Sequence, residues 1–296
     1  MSPVTSDPEI KTIRNVVLKT WGAWNSRNAQ NGVRYFRNAP SDMFFDYYPL
    51  RFDNFDAYMK GTQTYLNSLS VQGIKEHDLQ VAKFDDAALA VGTYAVDSQS
   101  KAGEKFHVTG GRYTGILAKQ SEGWLLCHEH WSPPATAIDE TLSSKVLSGG
   151  GNIIKSMTSR DSENESVAII MGSYWDAWRS LNMERINRHF RKASEDRYFH
   201  LYSQGSHNWD DYDLHIREFI GEHTSLSVML TDVRVFYEGP LAYIASCYEL
   251  GETLKTGTEV LREGRHTCVL LPSAGAWQII HEHWSMPVRA AGWENY

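Results

Sequence analysis

The pentapeptide His-Glu-His-Trp-Ser occurs twice in this chain, at residues 128–132 and 281–285. Each occurrence follows an apolar run that begins with tryptophan, and each leads to a proline two residues later. Five residues that include a tryptophan and two histidines do not recur by chance at the ends of two similar segments. The spacing of 153 residues therefore predicts a duplication in which each copy is a whole domain rather than a short solenoid repeat.

The similarity between the two halves extends beyond this motif. With a shift of 154 residues, 15 of the 38 positions from Trp21 to Tyr58 are identical in the second half. With a shift of 153 residues, 11 of the 24 positions from Gly111 to Pro134 are identical. We therefore expect a first domain at residues 1–136, a linker at residues 137–161 and a second domain at residues 162–296.

Composition restricts the classes of function that this chain can have. The formal charge is −7 with no basic run, so nucleic acid is not an expected partner. No apolar run approaches the roughly 18 residues of a membrane span, and the first ten residues are polar, so neither a span nor a signal peptide is predicted. Three cysteines without a paired motif are typical of a reducing, cytoplasmic compartment. The 10 tryptophans and 15 tyrosines suit cores and pockets for flat ligands.

The order of the predicted elements indicates an α+β fold. Apolar residues recur at helical spacing over residues 10–24 and 55–69, and a short helix is expected near residues 33–36. The aromatic segment at residues 43–48 favours a strand that ends at Pro49. Further strands are expected at residues 78–84, 87–97, 104–118 and 123–132. Helices that precede a run of strands are typical of an antiparallel sheet covered on one face by helices.

This order of elements, with a last strand of the form Trp-x-x-x-His-Glu-His-x-Ser-x-Pro, resembles the SnoaL-like branch of the nuclear transport factor 2-like superfamily. The resemblance covers nearly all of both halves. It implies two tandem cone-shaped half-barrels, each a curved antiparallel sheet with three helices that enclose a pocket. It also implies acid/base chemistry without a cofactor where such a domain is an enzyme. Because this fold carries isomerases, dehydratases and catalytically silent modules, it does not identify a reaction.

Ketosteroid isomerase is a member of that superfamily, and its catalytic set is absent from both copies. Its catalytic aspartate corresponds to Tyr48 in the first copy and Tyr202 in the second. Asp46 and His200 stand two residues earlier in their respective copies. The remaining positions of the set fall on Thr20 and Gly115 in the first copy, and on Tyr174 and Cys268 in the second.

The last strand supplies the main catalytic candidates. Alternate side chains of a strand share a face, so His128, His130 and Ser132 lie together, and the resemblance places that face in the pocket. Two imidazoles about 7 Å apart can act as a general acid/base pair near neutral pH, or they can brace the pocket wall through hydrogen bonds. We expect no metal, because no third ligand is clearly spaced. The equivalent residues of the second copy are His281, His283 and Ser285.

Arginines and further polar residues complete the predicted site. Arg112 and Arg265 lie in matched Gly-Arg-x-Thr strands, where a guanidinium could neutralise an oxyanion or phenolate. The alternative for each is a salt bridge to the glutamate of the neighbouring pentapeptide on the outer face of the sheet. Catalytic roles are assigned to Tyr48, Tyr174 and Tyr202, and substrate binding to Asp46, Tyr113, His200, His266, Ser132 and Ser285. Because the second copy has more titratable groups, we expect its pocket to be the reactive one.

The tryptophans are expected to serve two purposes. Trp21, Trp24, Trp175 and Trp178 recur at helical spacing and are predicted core residues. Trp131 and Trp284 are expected to point away from the pocket, on the outer face of the sheet. There they would pair the two domains within the chain or form a homo-oligomer.

Two hypotheses for function follow. The first is a cofactor-independent lyase, dehydratase or isomerase that acts on a small hydrophobic, hydroxylated aromatic molecule. This activity would be similar to that of scytalone dehydratase and, more loosely, of the sphingomonad diarylpropane lyases, which act on lignin-derived diaryl diols. The alternative is a non-catalytic module for small-molecule binding or oligomerisation.

Overall fold

The computed structural model describes residues 7–133, 161–201, 207–273 and 275–288. They form two compact units, one that holds residues 7–133 with Val288, and one that holds the described residues from 161 to 287. Residues 134–160, which contain nearly all of the predicted linker, lie outside the described part of the chain. Among the described helices, none has the length and apolar character needed to cross a membrane.

Two helices form one layer of the first unit. Helix α1, Pro8–Asn25, begins where the Asp7 carboxylate accepts a hydrogen bond from the Glu9 backbone N–H at 2.8 Å. Helix α2, Phe55–Ser68, begins in the same way at Asn54. Two short 3-10 turns, Ala29–Asn31 and Val33–Tyr35, stand between them, and the second occupies the place of the predicted short helix.

A five-stranded antiparallel sheet forms the other layer of the first unit. Its strands are β1 (Leu69–Glu76), β2 (Gln80–Phe84), β3 (Ala87–Ser100), β4 (Lys105–Gln120) and β5 (Gly123–Ser132). The order is β1-β3-β4-β5, and β2 also pairs with β3. Strand β1 starts directly after α2 and is absent from the sequence prediction, because Gly73 and the flanking polar residues do not alternate with apolar ones.

The predicted strand at residues 43–48 is reduced to single bridges in the first unit. Phe45 pairs with His130 of β5 in a parallel bridge, and Phe44 pairs with Phe52. The chain then turns, and the Asp46 carboxylate accepts a hydrogen bond from the Tyr47 backbone N–H at 2.7 Å. This turn ends the pairing before a ladder can form.

The second unit has the same order of layers. The segment that makes only single bridges in the first unit forms a short strand in the second. Its elements are α3 (Asp161–Arg179), α4 (Met183–Asn187), β6 (Arg197–Phe199), α5 (Trp209–Glu222), β7 (His223–Glu238), β8 (Leu241–Leu254), β9 (Glu259–Ser273) and β10 (Ala276–Ser285). The sheet order is β6-β10-β9-β8-β7. Strand β6 pairs with β10 in parallel and the other pairs are antiparallel. The α+β class is confirmed, whereas the expectation of a purely antiparallel sheet is wrong at this edge.

A β-bulge precedes the first histidine of each pentapeptide. In β5 the extra residue is Cys127, because Ile116 pairs with His128 whereas Leu117 pairs with Leu126. In β10 the register shifts in the same place, so that Ile280 is the extra residue. A bulge of this kind bends the strand and increases its twist.

The helix-covered face of each sheet carries the tryptophan of the pentapeptide. Trp131 is buried, with its ring centre 5.1 Å from that of Trp21 in α1 and 4.6 Å from that of Tyr113. Trp284 lies 5.1 Å from Trp175 of α3. The prediction that both residues face outward is therefore wrong. Strand periodicity shows which side chains share a face but not which face is inside, and the larger apolar area of the indole favours burial under the helices.

The tryptophans at helical spacing are core residues, as predicted. Trp21 and Trp24 are 2% and 4% exposed in the core of the first unit, and Trp175 and Trp178 have the same values in the second. Each unit thus has its own aromatic core between one sheet and its helices.

Candidate functional site

A buried glutamate on the helix-covered face of β10 gathers side chains from three other elements. Tyr212 of α5 donates its hydroxyl hydrogen to Oε2 of Glu282 at 2.7 Å. Tyr174 of α3 donates to Oε1 of the same carboxylate. Nε2 of His266 in β9 lies 3.0 Å from Oε1. All four side chains are buried, so this is a compact network of titratable groups in a medium of low dielectric constant.

The first unit has a smaller version of this network around Glu129. Tyr58 of α2 and Tyr113 of β4 donate to its two carboxylate oxygens at 2.9 and 2.8 Å. Burial raises the pKa of Glu129 to about 7, against the opposing effect of the two tyrosine hydrogen bonds. Tyr58 corresponds to Tyr212, but Tyr113 stands where the second unit has a histidine.

Gly115 explains why the network around Glu129 has no counterpart of Cys268. A Cβ at Gly115 would lie only 2.4 Å from the Tyr113 hydroxyl, so this position must stay small. In the second unit the shorter His266 leaves room for Cys268. Tyr113 and His266, which were predicted to bind substrate, thus contact the buried carboxylates instead.

His266, Cys268 and Glu282 form a group that could hold a metal ion. Each offers one ligand atom, and the three atoms lie within 4.8 Å of one another. A nitrogen, sulfur and oxygen set suits zinc. Burial, together with the Glu282 charge, raises the pKa of the Cys268 thiol well above its usual value, so a metal would have to displace the thiol proton. The absence of a metal requirement stays a prediction.

The histidines of the first pentapeptide lie on the opposite face of the sheet from Glu129. Nδ1 of His128 is 2.6 Å from the Met43 carbonyl oxygen, and the ring centre of His130 is 5.0 Å from that of Phe45. Both imidazoles are fully buried. Burial lowers the pKa of His128 to about 4, which leaves it neutral between pH 5 and 8.

The second pentapeptide repeats this placement. Nδ1 of His281 is 2.6 Å from the Arg197 carbonyl oxygen, and the His283 ring centre is 4.9 Å from that of Phe199. The expectation that these histidines line a pocket beneath the helices is therefore corrected for both copies. The reason is the same as for the tryptophans. Strand periodicity shows which side chains share a face of the sheet, but the choice of the face that lies beneath the helices rested on the resemblance alone.

Arg112 and Arg265 lie on the same face of their sheets as the pentapeptide histidines, since each is directly opposite the pentapeptide serine. Nε of Arg112 donates to Oγ of Ser132 at 3.1 Å, and Nη2 donates to the Pro133 carbonyl at 3.1 Å. Arg265 makes the same pair of contacts in the second unit, with Ser285 at 3.2 Å and the Met286 carbonyl at 3.3 Å. The alternative of a salt bridge to the pentapeptide glutamate is wrong, because arginine and glutamate point to opposite faces.

An apolar pocket opens on the helix-covered side of the second sheet. It has a cavity volume of about 20 Å³. Its lining residues are Trp178, His200, Leu201, Phe219, Leu226, Val228, Leu250 and Trp284. His200 brings a titratable group to this wall, and its ring centre lies 6.1 Å from that of Tyr212, which donates to Glu282. The pocket is thus connected to the buried network through one tyrosine. Tyr202 lies outside the described residues.

Two of the corresponding positions in the first unit carry tyrosines. A shift of 154 residues replaces Leu201 by Tyr47 and Phe219 by Tyr65. The Tyr94 hydroxyl donates to that of Tyr47 at 2.7 Å, and burial raises the pKa of Tyr65 to about 12. Tyr48 is half-buried and packs against the edge of the same core. Tyr47 and Tyr65 therefore stand at the positions of two residues that line the pocket of the second unit.

Sequence reasoning missed the two glutamates and Tyr58 and Tyr212. These residues form two pairs that are identical between the two halves of the sequence, and that identity was the available signal. The glutamates were assigned to the outer face together with the tryptophans. The tyrosines lie in helices whose facing strands could not be identified without the tertiary structure.

A comparison with protein-family models agrees with the SnoaL-like resemblance for the first half of the chain. Residues 13–136 match a protein-family model described as a SnoaL-like domain, so this prediction is confirmed for the first copy. No curated protein matches the chain.

Solved structures similar to part of the chain include three bacterial proteins of low sequence identity. One is a nuclear transport factor 2-like superfamily protein from Salmonella enterica, with a TM-score of 0.41 and 15% identity over 46% of this chain and 99% of that one. A proposed dehydratase of the NTF2-like family from Streptomyces avermitilis has a TM-score of 0.39 and 17% identity over 44% and 99%. A proposed scytalone dehydratase from Novosphingobium aromaticivorans has a TM-score of 0.39 and 15% identity over 46% and 95%.

Proposed function

We propose that the second unit is a cofactor-independent acid/base enzyme that dehydrates or isomerises a small hydroxylated aromatic molecule. The observation that carries this proposal is the placement of Glu282, with its two tyrosines and His266, behind an apolar pocket that presents His200. Perturbed titratable groups beside an apolar cavity are typical of catalytic sites. The match of residues 13–136 to the SnoaL-like domain, extended to the second unit by the sequence repeat, supports the same reading.

In this proposal His200 is the catalytic residue, because it touches the ligand space. An imidazole can accept a proton on one nitrogen and later donate it, so His200 can act first as base and then as acid. For a dehydration, His200 takes the proton from the carbon beside the carbinol. The electrons of that C–H bond form the new double bond, the C–O bond breaks, and the same imidazole returns its proton to the leaving hydroxyl as water. A phenol ring in conjugation with the carbinol carbon stabilises the positive charge that develops as the hydroxyl leaves.

The surrounding residues position the reaction. Trp178 and Trp284 hold an aromatic ring by apolar contact and keep water away. Tyr212, fixed by its hydrogen bond to Glu282, keeps the wall next to His200 rigid.

The size of the cavity narrows the substrate class. About 20 Å³ exceeds the roughly 10–15 Å³ that one water needs. A cavity that binds benzene has about 150 Å³, so one aromatic ring enters only if the lining side chains move apart, and two rings would need a much larger movement. We therefore propose a single-ring substrate in place of a lignin-derived diaryl diol.

The alternative of a non-catalytic binding module is favoured by one observation. Both oxygens of Glu129 and both oxygens of Glu282 already have hydrogen-bond donors within the protein. A fully satisfied buried network can serve to fix the packing of the core without any turnover.

Turnover and binding can be separated in one experiment. The carbinol 1-(4-hydroxyphenyl)ethanol, which carries hydrogens on the carbon beside the carbinol, is incubated with the protein, and its dehydration to 4-vinylphenol is followed by near-ultraviolet absorbance. We expect turnover by the wild type and a loss of about 10²–10⁴-fold in His200→Ala. His215→Ala is the matched control, since His215 lies in the same unit, pairs with Glu218 and is not part of the pocket wall. Thermal stabilisation by the carbinol without any product would instead establish the binding module.

A further inference from the structure

The edge strand of the second sheet is longer than its counterpart in the first sheet. Strand β7 has 16 residues and lies at the end of the sheet order, next to β8. In the first unit the corresponding stretch is divided between β1, with 8 residues, and β2, with 5, and both pair with β3. An edge strand carries a row of unpaired backbone N–H and C=O groups. Proteins commonly keep such strands short or charged, which prevents pairing with another chain.

Two side chains bind the outer backbone groups of β1 in the first unit. Nδ2 of Asn25 donates to the Ile74 carbonyl at 3.0 Å, and Oδ1 of Asn25 accepts from the Ile74 N–H at 2.6 Å. Nη1 of Arg27 donates to the Leu69 carbonyl at 2.5 Å. A neighbouring strand would need these same backbone groups, so the two side chains take the place of such a strand.

The second unit retains a smaller part of this protection. With the shift of 154 residues, Arg179 stands at the position of Asn25, and it donates to the Val228 carbonyl at 2.7 Å. A guanidinium has no acceptor, so it cannot accept a hydrogen bond from the Val228 N–H. Leu181 stands at the position of Arg27, and its side chain has no donor for a carbonyl. The second edge therefore lacks the side-chain acceptor and one of the two side-chain donors that protect the first.

The strand register shows which backbone groups of β7 point away from the sheet. The Val228 carbonyl is bonded by a side chain rather than by β8, and the N–H and C=O of one residue in an antiparallel strand point to the same side. Alternate residues repeat this direction, so the outward groups belong to Leu226, Val228 and Leu230. The register shift that follows Leu230 ends this stretch.

The same stretch carries no charge that would keep another strand away. Residues 223–231 include no lysine, arginine, aspartate or glutamate, whereas the matching part of β1 has Lys75 and Glu76. Ser225 and Ser227 are exposed, and their side chains are short. The devices that protect edge strands from pairing are therefore largely missing here.

The stretch is also complementary to itself. If two copies of β7 run antiparallel about a twofold axis at Val228, Leu226 lies opposite Leu230 of the other copy, and Ser227 lies opposite Met229. Buried apolar residues then meet on the helix-covered side, and uncharged residues meet on the other side. The Val228 N–H of each copy bonds the Val228 carbonyl of the other, whose second lone pair keeps its guanidinium donor.

We propose that the edge of β7 is an interaction surface for a second copy of this chain. Residues 225–231 of the two copies pair antiparallel about Val228, and the sheets of the two second units become continuous across the axis. The short paired stretch gives a weak dimer whose population increases with protein concentration. This inference goes beyond the proposed function and does not depend on it.

Charges placed across the axis test both the surface and the register. Sedimentation velocity of the full chain is measured at increasing concentration for the wild type and two double variants. Ser227→Lys/Met229→Lys puts like charges opposite each other at two symmetric positions, so the dimer should weaken about 10-fold or more. Ser227→Lys/Met229→Glu puts opposite charges there, so its dimer should be at least as tight as that of the wild type.

The matched control adds the same charge to the edge of the first sheet. Ser70→Lys/Val71→Lys changes two exposed residues of β1 and should leave the dimer affinity unchanged. Thermal unfolding of each variant checks that it is folded.

Amide hydrogen exchange of the wild type gives a second test that needs no variant. Where most of the chain is dimeric, the Leu226, Val228 and Leu230 amides should exchange about 3-fold or more slowly than in dilute protein. The Ile74 amide, which Asn25 already bonds, should exchange at the same rate at both concentrations.

Several results would overturn the proposal. A wild type that stays monomeric at every concentration excludes the second copy and leaves the edge to an extended segment of another protein. A dimer that Ser227→Lys/Met229→Lys does not weaken forms through a different surface. Equal weakening in both double variants contradicts the antiparallel register about Val228. If the double variants do not fold, unchanged exchange of the three β7 amides in the wild-type dimer overturns the proposal in their place.

Discussion

At the scale of single residues, the unusual groups are the two glutamates of the repeated pentapeptide. Each lies in the core of its unit and accepts hydrogen bonds from two tyrosine hydroxyls. Such a carboxylate is tolerated only when its donors are complete, because an unpaired buried charge is costly. The protonation state of Glu129 should therefore be visible in the stability of the first unit.

The stability of the first unit should depend on the protonation of Glu129. Its folded pKa is raised to about 7 from an ordinary value of 4.5. The folded chain then holds a proton that the unfolded chain has already released. This contribution to stability is fully present below about pH 4.5 and is lost as the pH rises through about 7. We expect the free energy of unfolding to fall by up to about 3 kcal/mol across this window, as measured by urea titration at several pH values.

Glu129→Gln provides the comparison, because the amide has nearly the same shape and does not titrate. The variant should lack this part of the pH dependence. Glu104→Gln, a change at an exposed acid, should retain it. A pH profile that is the same in all three proteins would contradict the raised pKa of Glu129.

The thiol of Cys268 leads to a prediction about metals. Because burial raises its pKa well above the usual value, we expect the protonated thiol to persist and purified protein to contain well under one metal per chain by elemental analysis. Added cobalt should give no thiolate charge-transfer band. A stoichiometric metal that is lost in Cys268→Ser would identify the group of His266, Cys268 and Glu282 as a metal site.

At the scale of elements, the sequence predicted most helices and strands but not the orientation of the last strand. The amphipathic pattern around Trp21 and the alternation along β3, β4 and β5 place those elements correctly. The pairing of β1 is not visible, since strand order is a long-range property. The side of the sheet that faces the helices depends on packing against α1 and α2, and neither spacing nor the family resemblance determines it.

Because Trp131 is buried under the helices, its substitution should lower the stability of the first unit and leave the oligomeric state unchanged. Its indole packs against Trp21 and Tyr94 in the core of the first unit. We expect Trp131→Ala to destabilise this unit by about 3–5 kcal/mol, as for other buried aromatic residues, measured by chemical unfolding. The elution volume of the folded protein should not change. An altered oligomer with unchanged stability would restore the outward-facing arrangement, on which the prediction of a homo-oligomer was based.

At the scale of the whole molecule, two units of one plan differ in what fills the space beneath the helices. The first unit has Tyr47 and Tyr65 there, and the second has Leu201 and Phe219 at the matching positions, with His200 beside them. The sequence repeat thus provides an internal control, because Leu201 and Phe219 have counterparts of a different residue type in the first unit.

Exchanging one such pair should close the pocket. Leu201→Tyr introduces the residue type of Tyr47 into a cavity of about 20 Å³. We expect carbinol turnover to be lost, while stability falls by about 1–3 kcal/mol from overpacking. The measurements are the absorbance assay and thermal unfolding of the same preparation. The reverse change, Tyr47→Leu, opens space beside Asp46 rather than beside a histidine, and it removes the hydrogen bond from Tyr94. It should therefore lower stability without adding turnover. Full turnover in Leu201→Tyr would mean that the chemistry, if present, takes place outside this pocket.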